Sequence, residues 1–183
     1  SSAYSTLWNE KGVNVGIDGM PPYKTELAGV PQVCFKVPTG GGKTFLAANS
    51  IKPIFDSMPH IHPKAVVWLV PSDAILTQTY RTLTDKNHDY RKKIDVDFGN
   101  KVEIYSKQQL LNGQNFNPTS VSDNLSVFVL SYDSFRTSKK DGRKAYQENG
   151  SLLPFVRFKQ DSGSLLEDTD ETALIQVIRK LNP

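Results

Sequence analysis

The stretch Val33-Cys34-Phe35-Lys36-Val37-Pro38-Thr39-Gly40-Gly41-Gly42-Lys43-Thr44 decides how the chain is read. Val33–Val37 predicts a short buried strand, the glycines a turn, and Thr44 the start of a helix. Consecutive glycines let a backbone curl until its N–H groups converge. Lys43 adds a cation and Thr44 a hydroxyl suited to Mg²⁺. A helix that opens here presents unpaired N–H groups and its positive dipole end to an anion. The pattern is that of a phosphate-binding loop. Its predicted binding residues are Thr39, Gly40, Gly41, Gly42, Lys43 and Thr44. Lys43 and Thr44 are the predicted catalytic pair, and Thr44 the ligand for the Mg²⁺ that accompanies ATP.

Upstream of the loop, residues 1–30 read as an N-terminal arm punctuated by Gly12, Gly16, Gly19, Pro21 and Pro22. Its aromatic residues, Tyr4, Trp8 and Tyr23, have two readings: anchors for a surface arm, or, for Tyr23, a neighbour of an adenine ring. Downstream, Phe45, Leu46, Ala48 and Ile51 give a helix over 44–58 one apolar face. Pro53 predicts a kink or early end near Lys52. The segment Met58–Pro63 is a loop. Its His60-x-His62 pair lacks a nearby cysteine or third histidine, so a metal site is not expected.

Lys64–Val70 is a second strand, apolar almost throughout, and such strands usually lie inside parallel sheets. Pro71-Ser72 ends it, and Ser72 or Asp73 can cap a helix to about Thr84. Asp85–Asp97 is polar. Further strands are expected at Lys101–Tyr105 and Leu125–Leu130, a short helix at Lys107–Leu111, and a loop over Asn112–Asn124. From Thr137 to Thr169 the pattern fades into an insert, with a hairpin strand expected at Leu152–Phe158. Glu171–Leu181 reads as a last helix. Strands alternating with helices predict an α/β domain, a parallel sheet flanked by helices. Phosphate loops in such sheets lie at the carboxyl ends of the strands. The turns after Val70 and Leu130 should therefore share an edge with Gly40–Gly42.

Composition sets the outer bounds. The 183 residues carry 22 basic and 19 acidic side chains, a net charge of +3 that permits nucleic-acid binding without demanding it. One cysteine, Cys34, cannot form an intrachain disulfide and is expected in the core of its strand. That fits a reducing cytoplasm. The longest apolar run, Ala65–Val70, is far short of the roughly 20 residues a membrane helix needs. Ser1–Asn9 lacks the pattern of a secretory signal. A cytoplasmic domain with no membrane segment is expected.

The usual phosphate-loop pattern, Gly-x-x-x-x-Gly-Lys-[Ser/Thr], would place its first glycine at position 37, where this chain has Val37. The variant Val-Pro-Thr-Gly-Gly-Gly-Lys-Thr resembles motif I of superfamily 2 helicases and translocases, in which a small residue commonly replaces that glycine. Pro71-Ser72-Asp73-Ala74-Ile75-Leu76-Thr77-Gln78 is similar to motif Ia of that family. It departs at Asp73, where some branches carry arginine. Val127–Phe135 resembles the strand and turn around motif Ib. Together with the Val-Val-Trp-Leu-Val-Pro-Ser strand and the insert, these pieces are most similar to the Res, helicase-like subunit of type III restriction enzymes. Type I motor subunits and stand-alone helicases are close rivals.

The resemblance covers roughly residues 30–183. It implies a partial first RecA-like P-loop domain over 31–183, with the insert at 137–169. It implies ATP and Mg²⁺ as cofactors, and nucleic-acid contacts by Ser72, Gln78, Ser131 and Tyr132. It implies double-stranded DNA and a methyltransferase (modification) subunit as partners of the full-length protein. ATP hydrolysis in this family also needs motif II, an Asp-Glu pair ending an apolar strand. Asp170-Glu171 follows no apolar strand and reads instead as a helix N-terminus. The chain is therefore expected to stop short of motif II and to hydrolyse ATP poorly or not at all. The cluster Lys139, Lys140, Arg143 and Lys144 is either a DNA-phosphate contact or a solvated charge run. A small P-loop phosphotransferase is the more distant alternative.

Overall fold

A computed structural model describes residues 2–22, 32–138, 140–156 and 172–183. The chain divides into two compact units, Ser1–Gly41 and Gly42–Pro183. In the first, helix α1 (Ser2–Glu10) forms within the stretch expected to lack elements. Tyr4 and Trp8, one helical turn apart, pack edge to face with centroids 6.3 Å apart. The Tyr4 hydroxyl donates to the Pro21 carbonyl at 3.1 Å.

The second unit begins with α2 (Lys43–Ser57), followed by β1 (Ala65–Val70), α3 (Asp73–Thr84), α4 (Asp89–Asp97) and β2 (Val102–Ser106). Then come α5 (Lys107–Asn112), α6 (Pro118–Asp123), β3 (Leu125–Ser131), α7 (Lys140–Arg143) and α8 (Leu174–Lys180). The strands form a three-stranded parallel sheet in the order β1-β3-β2. β1 pairs with β3 from Ala65 opposite Ser126 to Val70 opposite Ser131, and β2 pairs with β3 from Val102 opposite Leu125 to Ser106 opposite Val129.

Alternation along the strands divides the core into two layers. Val102, Ile104, Leu125, Val127 and Val129 pack with Ala48, Ile51, Phe55, Leu83 and Ile94, which covers one face with α2, α3 and α4. Ala65, Tyr105, Phe128 and Leu130 pack with Leu110, Phe116, Val121, Leu152, Phe155 and Leu174 on the other face. Phe116 stacks edge-on against Phe128 at 5.6 Å and lies 4.6 Å from Phe155. A parallel sheet covered on both faces is the α/β arrangement expected from the alternation of strands and helices, and it is consistent with the RecA-like P-loop fold that the resemblance implies.

Several local expectations differ. Val33–Val37 forms no strand, and Val33 and Phe35 are 71% and 62% exposed. Cys34 is exposed as well, not a core residue. Apolar runs become strands through cross-strand packing, and no residue of this run is buried in the core. Pro53 does not end α2, which runs on to Ser57. The last turn is held by Phe55, buried in the core, and by the Lys52–Asp56 pair at 2.8 Å.

The polar stretch 85–97 contains α4. Its Arg91 is buried, with Nε donating to Asp95 at 2.8 Å and the other guanidinium nitrogens to the carbonyls of Leu83 and Val102. The expected loop at 112–124 contains α6, capped by Asn117 with Pro118 in its first turn. The expected hairpin strand near Leu152 is a 3₁₀ helix, Gly150–Phe155. The final helix begins at Leu174, and Asp170-Glu171 lie outside the described residues.

Candidate nucleotide and nucleic-acid sites

The glycine loop is built residue by residue from its backbone. Gly40 and Gly42 both have φ near 78°, the left-handed region that side chains disfavour. At Gly41 the constraint is space: a Cβ there would lie 2.7 Å from Val37 Cγ1. The Gly41 N–H donates to the Pro38 carbonyl at 3.0 Å, closing the turn. Gly42 is the N-cap of α2, with no side chain to occupy the first-turn N–H groups. Thr39, Gly40 and Gly41 are exposed; in α2, Lys43 is exposed and Thr44 half-buried in the first turn. The residue types, the backbone turn and the uncapped helix start fit a nucleotide phosphate with its Mg²⁺. The adenine candidate Tyr23 lies outside the described residues.

A second cluster lies at the carboxyl ends of β1 and β3. Ser72 caps α3, its Oγ accepting from the Ile75 N–H at 3.5 Å. Ser131 ends β3 and is 2% exposed, while Tyr132 beside it is 58% exposed. The parallel ladder sets Val70 opposite Ser131, so the two following turns emerge side by side. A hydrogen bond joins them: Ser131 Oγ donates to Asp73 Oδ1 at 3.0 Å. Three of the four predicted nucleic-acid residues, Ser72, Ser131 and Tyr132, thus lie at neighbouring strand ends.

Gln78 stands apart, exposed on α3, where it lines a shallow cavity of about 680 Å³ with Thr77, Arg81, Asp85 and His88 among others. Lys140, Arg143 and Lys144 are exposed in and just after α7. Lys139 lies outside the described residues.

Two residues of the strand-end cluster had no place in the motif reading. Asp73 stood out only as a departure from a pattern. Lys107 opens α5, and its Nζ donates to the Ser134 carbonyl at 3.0 Å. The one hint in sequence was a lysine two residues after the predicted strand Lys101–Tyr105, at the end where such sheets place their ligands.

A family model described as type III restriction enzyme, res subunit, matches residues 17–161. The chain belongs to that family. The match takes in the glycine loop, the β1 and β3 turns and most of the insert. The family is one of helicase-like ATPases, as the three motif resemblances implied. No curated protein and no solved structure matches the chain. Among the described residues, no helix is long and apolar enough to cross a membrane.

Proposed function

We propose that this chain is the ATP-binding part of the DNA-dependent ATPase or translocase subunit of a restriction enzyme. In the whole protein, nucleotide hydrolysis would be coupled to translocation on double-stranded DNA and to endonucleolytic cleavage, alongside a modification (methyltransferase) subunit. The observation that carries the reading is the Gly40–Gly42 turn opening uncapped into α2, within a stretch matched by the res subunit family.

Thr39, Gly40, Gly41 and Gly42 would offer backbone N–H groups to the phosphates, with Lys43 as their counter-charge and Thr44 as the Mg²⁺ ligand. The bound Mg²⁺ would supply neutralisation of phosphate charge. Residues 137–169 are the family-like insert, and 1–30 the arm preceding a partial RecA-like domain over 31–183. Strands β1, β2 and β3 lead into Pro71-Ser72-Asp73, Lys107-Gln108 and Tyr132-Asp133, none of them an Asp-Glu pair. We further propose that these residues alone bind ATP but hydrolyse it poorly or not at all.

Calorimetric titration with Mg-ATP tests the proposal. Lys43→Ala should weaken binding by about 10- to 100-fold, the worth of one charged hydrogen bond. Binding equal in the wild type and the Lys43→Ala chain would remove the nucleotide site. Phosphate transfer to AMP would favour a small P-loop phosphotransferase. Brisk DNA-stimulated hydrolysis by these residues alone would refute the lack of motif II carboxylates. Type I motors and stand-alone superfamily 2 helicases share the loop and would behave alike in this titration.

A further inference from the structure

The structure assigns Asp73 to the strand-end surface as a positioning residue, one that fastens the two turns expected to touch nucleic acid. The inference rests on the expectation that this edge meets nucleic acid; of Ser72, Gln78, Ser131 and Tyr132, the exposed Ser72 and Tyr132 of the two turns are the ones taken as contacts, Ser131 being buried. The β1–β3 ladder ends at the Val70–Ser131 pair, so backbone pairing no longer holds the chains together beyond it. The next connection is the side-chain bond from Ser131 Oγ to Asp73 Oδ1 at 3.0 Å.

On the β3 side the bond continues into the turn. The Ser131 N–H donates to Ser134 Oγ at 3.1 Å, and the two hydroxyl oxygens lie 3.4 Å apart. Ser131 and Ser134 are both buried, which shields these bonds from water. From the β2 side, Lys107 Nζ reaches the Ser134 carbonyl at 3.0 Å. The 3₁₀ turn Tyr132–Phe135 is thus clasped between a carboxylate from the β1 end and an ammonium from the β2 end. Its exposed Tyr132 is the part left to meet a ligand.

A carboxylate on a surface that meets phosphates is repulsive in isolation. At position 73 that cost is offset by the hydroxyl bond it accepts and by its place in the first turn of α3, where the helix dipole favours negative charge. The same residue therefore costs attraction and supplies geometry, and substitutions can separate the two. Asp73→Asn removes the charge but keeps an oxygen for Ser131. Asp73→Ala removes both. Ser131→Ala removes the donor and keeps the charge.

The test measures affinity of the chain Ser1–Pro183 for a fluorescein-labelled duplex of random sequence at several salt concentrations, with amide hydrogen exchange as a second readout. Positioning predicts that Asp73→Ala and Ser131→Ala each weaken binding by about 5- to 10-fold, one net hydrogen bond. The double variant should be no weaker than either single one. Asp73→Asn should bind as tightly as wild type or more tightly, most visibly at low salt. Both weakening variants should also speed exchange at the Ser131 and Tyr132 amides.

Tighter binding by Asp73→Ala, matching Asp73→Asn, would reduce Asp73 to a charge and overturn the proposal. So would additive losses, or exchange at Ser131 and Tyr132 unaltered in both variants. Ser131→Ala decides the matter if Asp73→Ala fails to fold. A wild-type chain that ignores duplex, or a Tyr132→Ala chain that binds it normally, would instead remove the nucleic-acid reading on which the proposal stands.

Discussion

Two apolar runs in this chain look alike as sequence and behave as opposites in space. Leu125–Ser131 is buried at every position, including Phe128 at 0% exposed. Val33–Val37 forms no strand and leaves Phe35 62% exposed. The first has a strand on each edge and a helical layer on each face. The second is in no strand, and none of its residues is buried in the core. Apolar content makes burial favourable only where neighbours exist to provide it; composition alone does not create the partner.

The largest expected effect that tests this contrast is chemical labelling. Cys34 should react with a thiol reagent in the native chain at nearly the rate of an unfolded peptide. A cysteine placed by Val127→Cys in β3 should react only through opening of the sheet. With typical domain stabilities of about 5–15 kcal/mol, its rate should fall by on the order of a thousandfold or more. Comparable rates would mean that β3 is far less protected than its burial implies.

Next comes paired truncation followed by urea unfolding. Phe128→Ala should cost about 3–5 kcal/mol, because Phe128 packs against Tyr105 and Phe116 with little room to collapse. Phe35→Ala should change stability by no more than about 0.5 kcal/mol. Similar losses at the two sites would show that Phe35 is covered in solution.

The smallest effect concerns Tyr105, Phe128's neighbour across the sheet. Burial pushes its hydroxyl above the ordinary tyrosine value of 10.0, opposed by a hydrogen bond with Ser120. The folded chain therefore holds this proton more tightly than the unfolded one. The resulting stability is fully present at neutral pH and is lost as pH rises above 10.0 through the folded value. Urea midpoints in alkali should drop less steeply for Tyr105→Phe than for wild type. Equal slopes would place Tyr105 outside the protected layer.

The parallel sheet was readable because β1 and β3 are long apolar runs bounded by turn residues, and α3 because Ser72 caps an amphipathic stretch. α4 was missed for an equally physical reason. Its helix rests on Arg91–Asp95 and Lys93–Asp97 pairs one turn apart, and its polar surface hides a single buried apolar residue, Ile94. α6 is six residues with one buried side chain, Val121, too short for a periodic signal. At the candidate sites the turn at Gly40–Gly42 was legible, since positive φ depends on local backbone freedom. The bond from Asp73 to Ser131 was not, because it joins residues 58 apart in sequence.

Local chemistry was therefore settled along the chain. Three glycines, a lysine and a threonine dictate a loop suited to phosphate, and capping residues place helix starts, because these properties depend on neighbours within a few positions. What folding in three dimensions added was the choice among apolar runs and the role of Asp73. Those depend on which distant segments supply a strand edge or a hydroxyl, and no spacing rule along one chain records that. The loop motif is shared across helicase-like ATPases, while the bond between two strand ends makes a departure from the family pattern part of the surface.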